Sequence, residues 1–192
     1  TLTIAMKELK SYFVSPIAYV IIAFWLLATG LFFYLILVNV RTASLQELFG
    51  TVTVLLLLIG PALTMRLLSE EQRTGSLELL MTAPIRDWEV VLGKFLAAVL
   101  LFIAMMALTL IYPILMQLFG GTPDWGPIFS GYLGLLLFAS SFLAIGLFAS
   151  ALSDNQMLAA VIAFVVLLIL WMIGQLGTGV GGALAGRLQA LS

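Results

Sequence analysis

Residues 17–38 read IAYVIIAFWLLATGLFFYLILV, twenty-two positions without one charge. A helix that crosses a hydrocarbon core of ~30 Å needs about 20 mostly apolar residues, and this run has that length. Four more stretches of the same kind follow: Leu48–Met65, which is short and contains Pro61; Phe95–Phe119, which contains Pro113; Ile128–Leu152; and Met157–Leu176. A transmembrane β-barrel would need short segments alternating apolar and polar, and Val54–Ile59 and Val161–Leu170 do not alternate. The expected fold class is all-α: a polytopic bundle of transmembrane helices, one domain over residues 1–192.

Composition leads to the same class. Of 192 residues, 63% are hydrophobic and 9% charged, against roughly 45–50% and about 25% in soluble domains. That excludes a water-soluble globule and a disordered chain. There is no Cys and no His, so disulfides, thiolate nucleophiles and the commonest general base and metal ligand are absent. A net charge of -1 gives no global attraction to nucleic acid. The five runs contain no Asp, Glu, Lys or Arg. Such charges mark proton relays and ion pathways, so an ion-coupled carrier, a proton pump and a voltage sensor are all disfavoured. A serine hydrolase needs a base beside its nucleophile, and none is embedded. No enzyme activity, cofactor or metal is expected. The polar residues within the runs are Thr29, Thr51, Thr53, Thr109, Tyr112, Gln117, Ser140, Ser141 and Ser150. They read as packing or backbone-bonded groups. The small pairs Ser140/Ala144 and Gly146/Ser150 mark the fourth run as a packing element.

Lys and Arg set the orientation. With the N-terminus in the cytoplasm, the inner side holds Lys7, Lys10, Arg66, Arg73, Arg86 and Lys94, and the outer side only Arg41 and Arg187. The loop Gly120–Pro127, with Asp124 and no Lys or Arg, then lies outside, and the turn Ser153–Gln156 lies inside. Ahead of the first run, Leu2, Met6, Leu9 and Phe13 share one helical face, with Lys7, Lys10 and Ser11 on another. Such a helix lies flat at the interface with its Lys side chains toward lipid phosphates. A signal peptide is a poor fit, because the apolar run is too long and lacks a small-residue cleavage site. Ser15-Pro16 breaks this helix. At the far end, Gly177-Thr178-Gly179-Val180-Gly181-Gly182 has the glycine spacing of a phosphate-binding loop but no preceding strand and no following Lys-Ser/Thr. It reads as a flexible or re-entrant stretch.

Charge gathers in one place. Residues 66–94, RLLSEEQRTGSLELLMTAPIRDWEVVLGK, hold nine of the chain's seventeen charges. Leu67–Arg73 continues the second run as a helix, with Glu70 and Arg73 at a favourable i,i+3 spacing. Thr74-Gly75-Ser76 breaks it. Leu77–Thr82 forms a short helix with Leu77, Leu80 and Met81 on one face and Glu78 off it. Ala83-Pro84 ends that helix, and Asp87 is placed to cap the next one. Exposed Leu and Met need something to pack on. The segment therefore reads as a docking element for another protein, ahead of an interfacial segment on lipid.

The run Ser69–Pro84, SEEQRTGSLELLMTAP, with the later Leu92-Gly93-Lys94, resembles the signature of ABC exporter permeases of the second type. The opening Met6–Pro16 is similar to that family's amphipathic elbow. The likeness is nearest to the permeases linked to gliding motility and nitrous-oxide-reductase maturation. Two departures stand out: Arg86 occupies a position where the family often has Ser, and five spans are present where the family has six. The resemblance implies a dimer of permeases, with itself or a paralogue, bound to cytosolic ATP-binding subunits. It implies that residues 77–82 form the coupling helix, seated in a cleft of the ATPase. On that reading Glu70, Glu71, Arg73 and Glu78 orient the contact, Leu77, Leu80 and Met81 fill the cleft, and Gly75 and Pro84 bracket it. The permease itself binds no nucleotide. A non-transporting membrane scaffold in a larger complex is the alternative. The family's span number also implies that the native chain continues into a sixth span after Ser192.

The orientation is testable in intact cells of the inner membrane's host. A Cys introduced at Asp124 is expected to react with an impermeant thiol reagent added outside, and one at Ser76 to be protected. The reverse pattern would invert the topology.

Overall fold

The computed structural model describes residues 1–40, 45–74, 86–118, 121 and 123–189. Within them lie eight helices: α1 (Leu2–Val14), α2 (Pro16–Val40), α3 (Gln46–Thr64), α4 (Ser69–Thr74), α5 (Asp87–Thr109), α6 (Ile111–Leu118), α7 (Trp125–Ala151) and α8 (Gln156–Gln189). No strand occurs among the described residues. Five segments are long and apolar enough to cross a bilayer: Pro16–Val38, Gln46–Thr64, Trp88–Leu118, Trp125–Ala151 and Gln156–Leu176. Each carries one of the five apolar runs, so the chain is an all-α, multi-pass bundle.

Local chemistry sets the ends. Ser15 is extended (φ -79, ψ 127) between α1 and α2, as the ring of Pro16 demands. The third run is split at Leu110, where the helix tightens into a Leu110 N–H to Ala107 carbonyl bond. Pro113 explains the break, because it has no N–H to offer the Thr109 carbonyl. That segment also starts earlier than expected, so Lys94 lies inside helix α5 and is buried. Helix α7 begins at Trp125, because the Asp124 carboxylate accepts the Gly126 N–H at 3.2 Å. Pro127 falls in the first turn, where a missing N–H costs nothing. Between α7 and α8 the Asn155 side chain accepts the Met157 N–H at 3.0 Å.

Two expectations are corrected here. The glycine-rich stretch 177–182, expected as an irregular stretch, is helical, a continuous part of α8. Each Gly costs about 1 kcal/mol in a helix, but unpaired backbone in an apolar surrounding costs several kcal/mol. The first residue of α5 is Asp87, and the N-cap position belongs to Arg86. There the Glu89 carboxylate accepts the Arg86 N–H at 3.3 Å, one half of a capping box.

Helix α3 is central and packs on α2, α7 and α8, while α5 packs on α1, α2 and α7. Leu56, Leu63, Leu101, Phe102, Met105, Leu143 and Leu167 fill the space between them. Trp25 meets Phe102 edge-on at 5.6 Å. Most of α2 and of the described part of α8 faces outward through side chains such as Val20, Leu27, Met157 and Val161. That is the surface expected of helices bathed in lipid, where apolar side chains need no cover.

The polar residues inside the spans are held as expected. Thr29 donates to the Trp25 carbonyl at 2.7 Å and lies 2.9 Å from the Tyr112 hydroxyl. Thr109 pairs with Tyr132 at 3.0 Å. Thr51, Thr53, Ser140 and Ser141 each bond the carbonyl four residues back. Gln117 is exposed. Of the two small pairs, Gly146/Ser150 faces α3. Ser140/Ala144 does not work as a contact within this chain, since Ala144 is exposed.

Gly146 marks a close approach of α7 to α3. A Cβ there would collide with Thr64 Oγ1 and lie 2.9 Å from Thr64 Cβ. Gly146→Ala is expected to destabilise the bundle by about 1–3 kcal/mol through overpacking. Gly134→Ala on the same helix has open space and is expected to be stabilising by up to about 1 kcal/mol. Thermal unfolding in detergent measures both. Adding Thr64→Ala to Gly146→Ala should recover part of the loss, as coupled neighbours do.

Candidate functional site

The charged segment joins α3 to α5, so its two attachment points are the part of the site that the structure can describe. Of the residues expected to form the docking element, Glu70, Glu71 and Arg73 lie on α4. Gly75, Leu77, Glu78, Leu80, Met81 and Pro84, with the short helix expected over Leu77–Thr82, lie outside the described residues. Arg73 is exposed. Glu70 pairs with Arg66, through bonds of 2.8 Å from Nε and 3.0 Å from Nη2, and the Arg73 charge also acts on its carboxyl. The turn at Met65–Leu68 interrupts the helix and brings Arg66 alongside.

That turn is a dense knot of hydrogen bonds. The Ser150 hydroxyl, at the end of α7, accepts the N–H groups of Leu68 and Ser69 at 3.1 Å each. It donates to the Met65 carbonyl at 3.2 Å. The Ser69 hydroxyl donates to the same carbonyl. From α1, the Tyr12 hydroxyl donates to the Leu63 carbonyl at 2.7 Å. Burial raises the Tyr12 phenol well above its ordinary value; the nearby Glu8 charge adds to this and Arg66 opposes it. It therefore stays a neutral donor. Arg66 reaches α1 as well, donating from Nη1 to the Ser15 hydroxyl at 3.2 Å. Its hydrogen bond to Glu70 holds that carboxyl below the ordinary range and raises the guanidinium further. The pair thus stays ionised as pH falls below the usual carboxylate range and is lost only lower down.

The second attachment is the start of α5. Gly93 lets α1 come close: a Cβ there would lie 2.9 Å from Ile4 Cβ. One residue on, Lys94 Nζ meets Glu8 Oε1 at 3.2 Å. The Lys94 side chain is 2% exposed and that of Glu8 21%. The face of α1 that packs inward is thus Ala5, Glu8, Leu9 and Tyr12. Of the residues expected on one helical face, Met6 and Phe13 are exposed while Leu9 packs on the core.

Sequence reasoning had singled out the motif Leu92-Gly93-Lys94 and read the elbow as an interfacial helix, without giving Lys94 or Glu8 a partner. It had read Ser150 as a packing residue only. The pairing of Glu8 with Lys94 across 86 positions has no local signal. The arrangement offers no nucleophile beside a base. What it provides is a mechanical frame: both ends of the charged segment are tied to α1, and one end also to α7.

A family model described as ABC-2 family transporter protein matches residues 35–182. The chain belongs to the ABC-2 transporter family. It is therefore a membrane permease component of an ABC transporter, and membership implies association with an ATP-binding subunit. No curated protein and no solved structure matches the chain.

The ion pair yields a direct test. Lys94→Met strands the Glu8 carboxylate, and removing one partner of a buried pair costs about 3 kcal/mol. Replacing both, as Glu8→Leu with Lys94→Met, is expected to restore most of that loss. Denaturant unfolding of the purified protein distinguishes the outcomes. If the single and double variants are equally unstable, the pair has no part in holding α1 to α5.

Proposed function

We propose that this chain is the transmembrane permease of an ATP-driven exporter, turning ATP hydrolysis by a separate cytosolic subunit into export or mechanical work. The observation that carries the reading is the family match over residues 35–182, which contains the whole charged segment. In this reading residues 77–82 are the coupling helix, with Leu77, Leu80 and Met81 in a cleft of the ATP-binding subunit. Glu70, Glu71, Arg73 and Glu78 orient the contact between Gly75 and Pro84. The permease works as a dimer in the inner membrane, with its N-terminus in the cytoplasm. Its segment is most similar to that of the permeases linked to gliding motility and nitrous-oxide-reductase maturation.

The frame around the segment supports this assignment physically. A push on residues 75–85 reaches α3 and α7 through the Ser150 bonds and reaches α5 directly. Interfaces of this kind shift between discrete packings rather than bending continuously, which is what a nucleotide-driven stroke requires.

Leu80→Asp is the sharpest test. Its carboxylate would be desolvated in the cleft without a partner, at a cost of several kcal/mol. A loss of ~4 kcal/mol weakens association about a thousandfold. Insertion into the membrane should be unchanged. Glu89→Gln is the control, because its amide can still accept the Arg86 N–H. Pull-down of the ATP-binding subunit at matched permease levels, with stimulation of its ATPase, gives the readout. Normal binding by Leu80→Asp would assign the segment to the lipid interface or to a scaffold role.

A further inference from the structure

At the charged end of the bundle, α1, the first turns of α2 and the turn after α3 enclose a cavity of about 70 Å³. Its polar wall is Glu8, Ser11, Ser15, Arg66 and Glu70, and its other wall includes Ile17 and Ile21 of α2. The cavity sits where an amphipathic helix meets a spanning one, the level of lipid headgroups.

The wall is matched to a particular chemistry. A guanidinium has five N–H donors, and Arg66 spends three of them on Glu70 and Ser15. Its other donors, with the hydroxyls of Ser11 and Ser15, suit the oxygens of a phosphodiester. A bare anion would fit poorly, because two carboxylates, Glu8 and Glu70, face the same space as one guanidinium. A neighbouring ammonium group removes that conflict. The Glu8 carboxylate has about four acceptor sites, and its contact with Lys94 Nζ at 3.2 Å takes one of them. A primary ammonium has three N–H donors to use them. A quaternary ammonium has none and is wider. Beyond the rim, Ile17 leads onto the outward face of α2 with Val20 and Phe24, where acyl chains can lie.

We propose that this cavity is a binding site for the headgroup of a phospholipid with a primary amine, of the ethanolamine type. The phosphodiester sits on Arg66, Ser11 and Ser15, the ammonium on Glu8, and the acyl chains run down past Ile17 and Ile21. The site borders Glu70 of the proposed docking contact but needs no partner subunit.

The test uses the full-length protein in nanodiscs holding equal amounts of phosphatidylethanolamine, phosphatidylcholine, phosphatidylglycerol and phosphatidylserine. Lipids retained after mild detergent extraction are counted by native mass spectrometry. The ethanolamine lipid is expected to be enriched about tenfold over the others, the value of one charge-assisted hydrogen bond. The serine lipid is disfavoured because its extra carboxylate meets Glu8 and Glu70. Ser11→Phe plugs the cavity from an exposed position on its rim, and Arg66→Gln removes the guanidinium. Both should abolish the enrichment while helical content by circular dichroism stays unchanged. Soluble glycerophosphoethanolamine should displace the lipid and inorganic phosphate should not. Equal retention of all four headgroups, enrichment that survives Ser11→Phe, or equal displacement by inorganic phosphate would overturn the proposal.

Discussion

The backbone between Leu63 and Ser69 is the tightest constraint on this bundle. Helix α3 ends there, at the boundary of the apolar layer, and leaves carbonyls and N–H groups that little water can reach. Pro61 tightens the constraint by withholding the N–H that would bond the Leu57 carbonyl. Each buried unsatisfied group would cost about 1–3 kcal/mol. Two neighbouring helices and one local residue meet the need: Tyr12 on α1, Ser150 on α7, and Ser69 within the turn itself. The position of α7 follows. Ser150 reaches the turn only if its helix lies close against α3, and Gly146, one turn earlier on the same face, leaves the room against Thr64. The glycine and the serine are one device, the first removing bulk and the second supplying bonds.

Helices α1 and α5 use the same device with a different polar group. Gly93 removes bulk against Ile4, and Lys94 supplies the contact to Glu8. A buried ion pair is weak evidence of net stability, since desolvation offsets most of its attraction. What it does here is fix register. A slip of α1 along α5 by one turn would leave Lys94 buried opposite an apolar residue and carry Glu8 away from it.

How much of this could be read from the residues depends on the kind of signal. The five spans were legible because membrane crossing needs length and freedom from charge, and both are local properties. The break at Ser15-Pro16 and the polar groups bonded four residues back were legible for the same reason. The inward face of α1 was not. In water an apolar stripe points to the core, but in a bilayer it can equally point to lipid, and Met6 and Phe13 do so. Periodicity therefore shows that α1 is amphipathic without saying which side packs. The burial of Lys94 was not legible because its charge set the edge of the third apolar run at Phe95, while the spanning segment starts at Trp88. Within the charged segment, Glu70 lay at correct spacing for both Arg66 and Arg73. The turn after α3 brings Arg66 into hydrogen-bond contact with it, and turn geometry of that kind has no signature in residue spacing.

These devices converge on α1. Glu8 and Tyr12 are four residues apart, about 6 Å along the helix, and so lie on the same face. Glu8 holds the start of α5 and Tyr12 the end of α3. Those are the two helices from which the charged segment hangs. One turn of α1 therefore ties together the two helices that flank residues 75–85. Displacing one end strains a bond to α1, and α1 carries the strain to the other. The two helices are thereby biased to move together, and Ser150 brings α7 with them. A bundle held only by apolar side chains in lipid would lack this property. Dispersion contacts slide at little cost, whereas a buried hydrogen bond or ion pair must break before its partners can part.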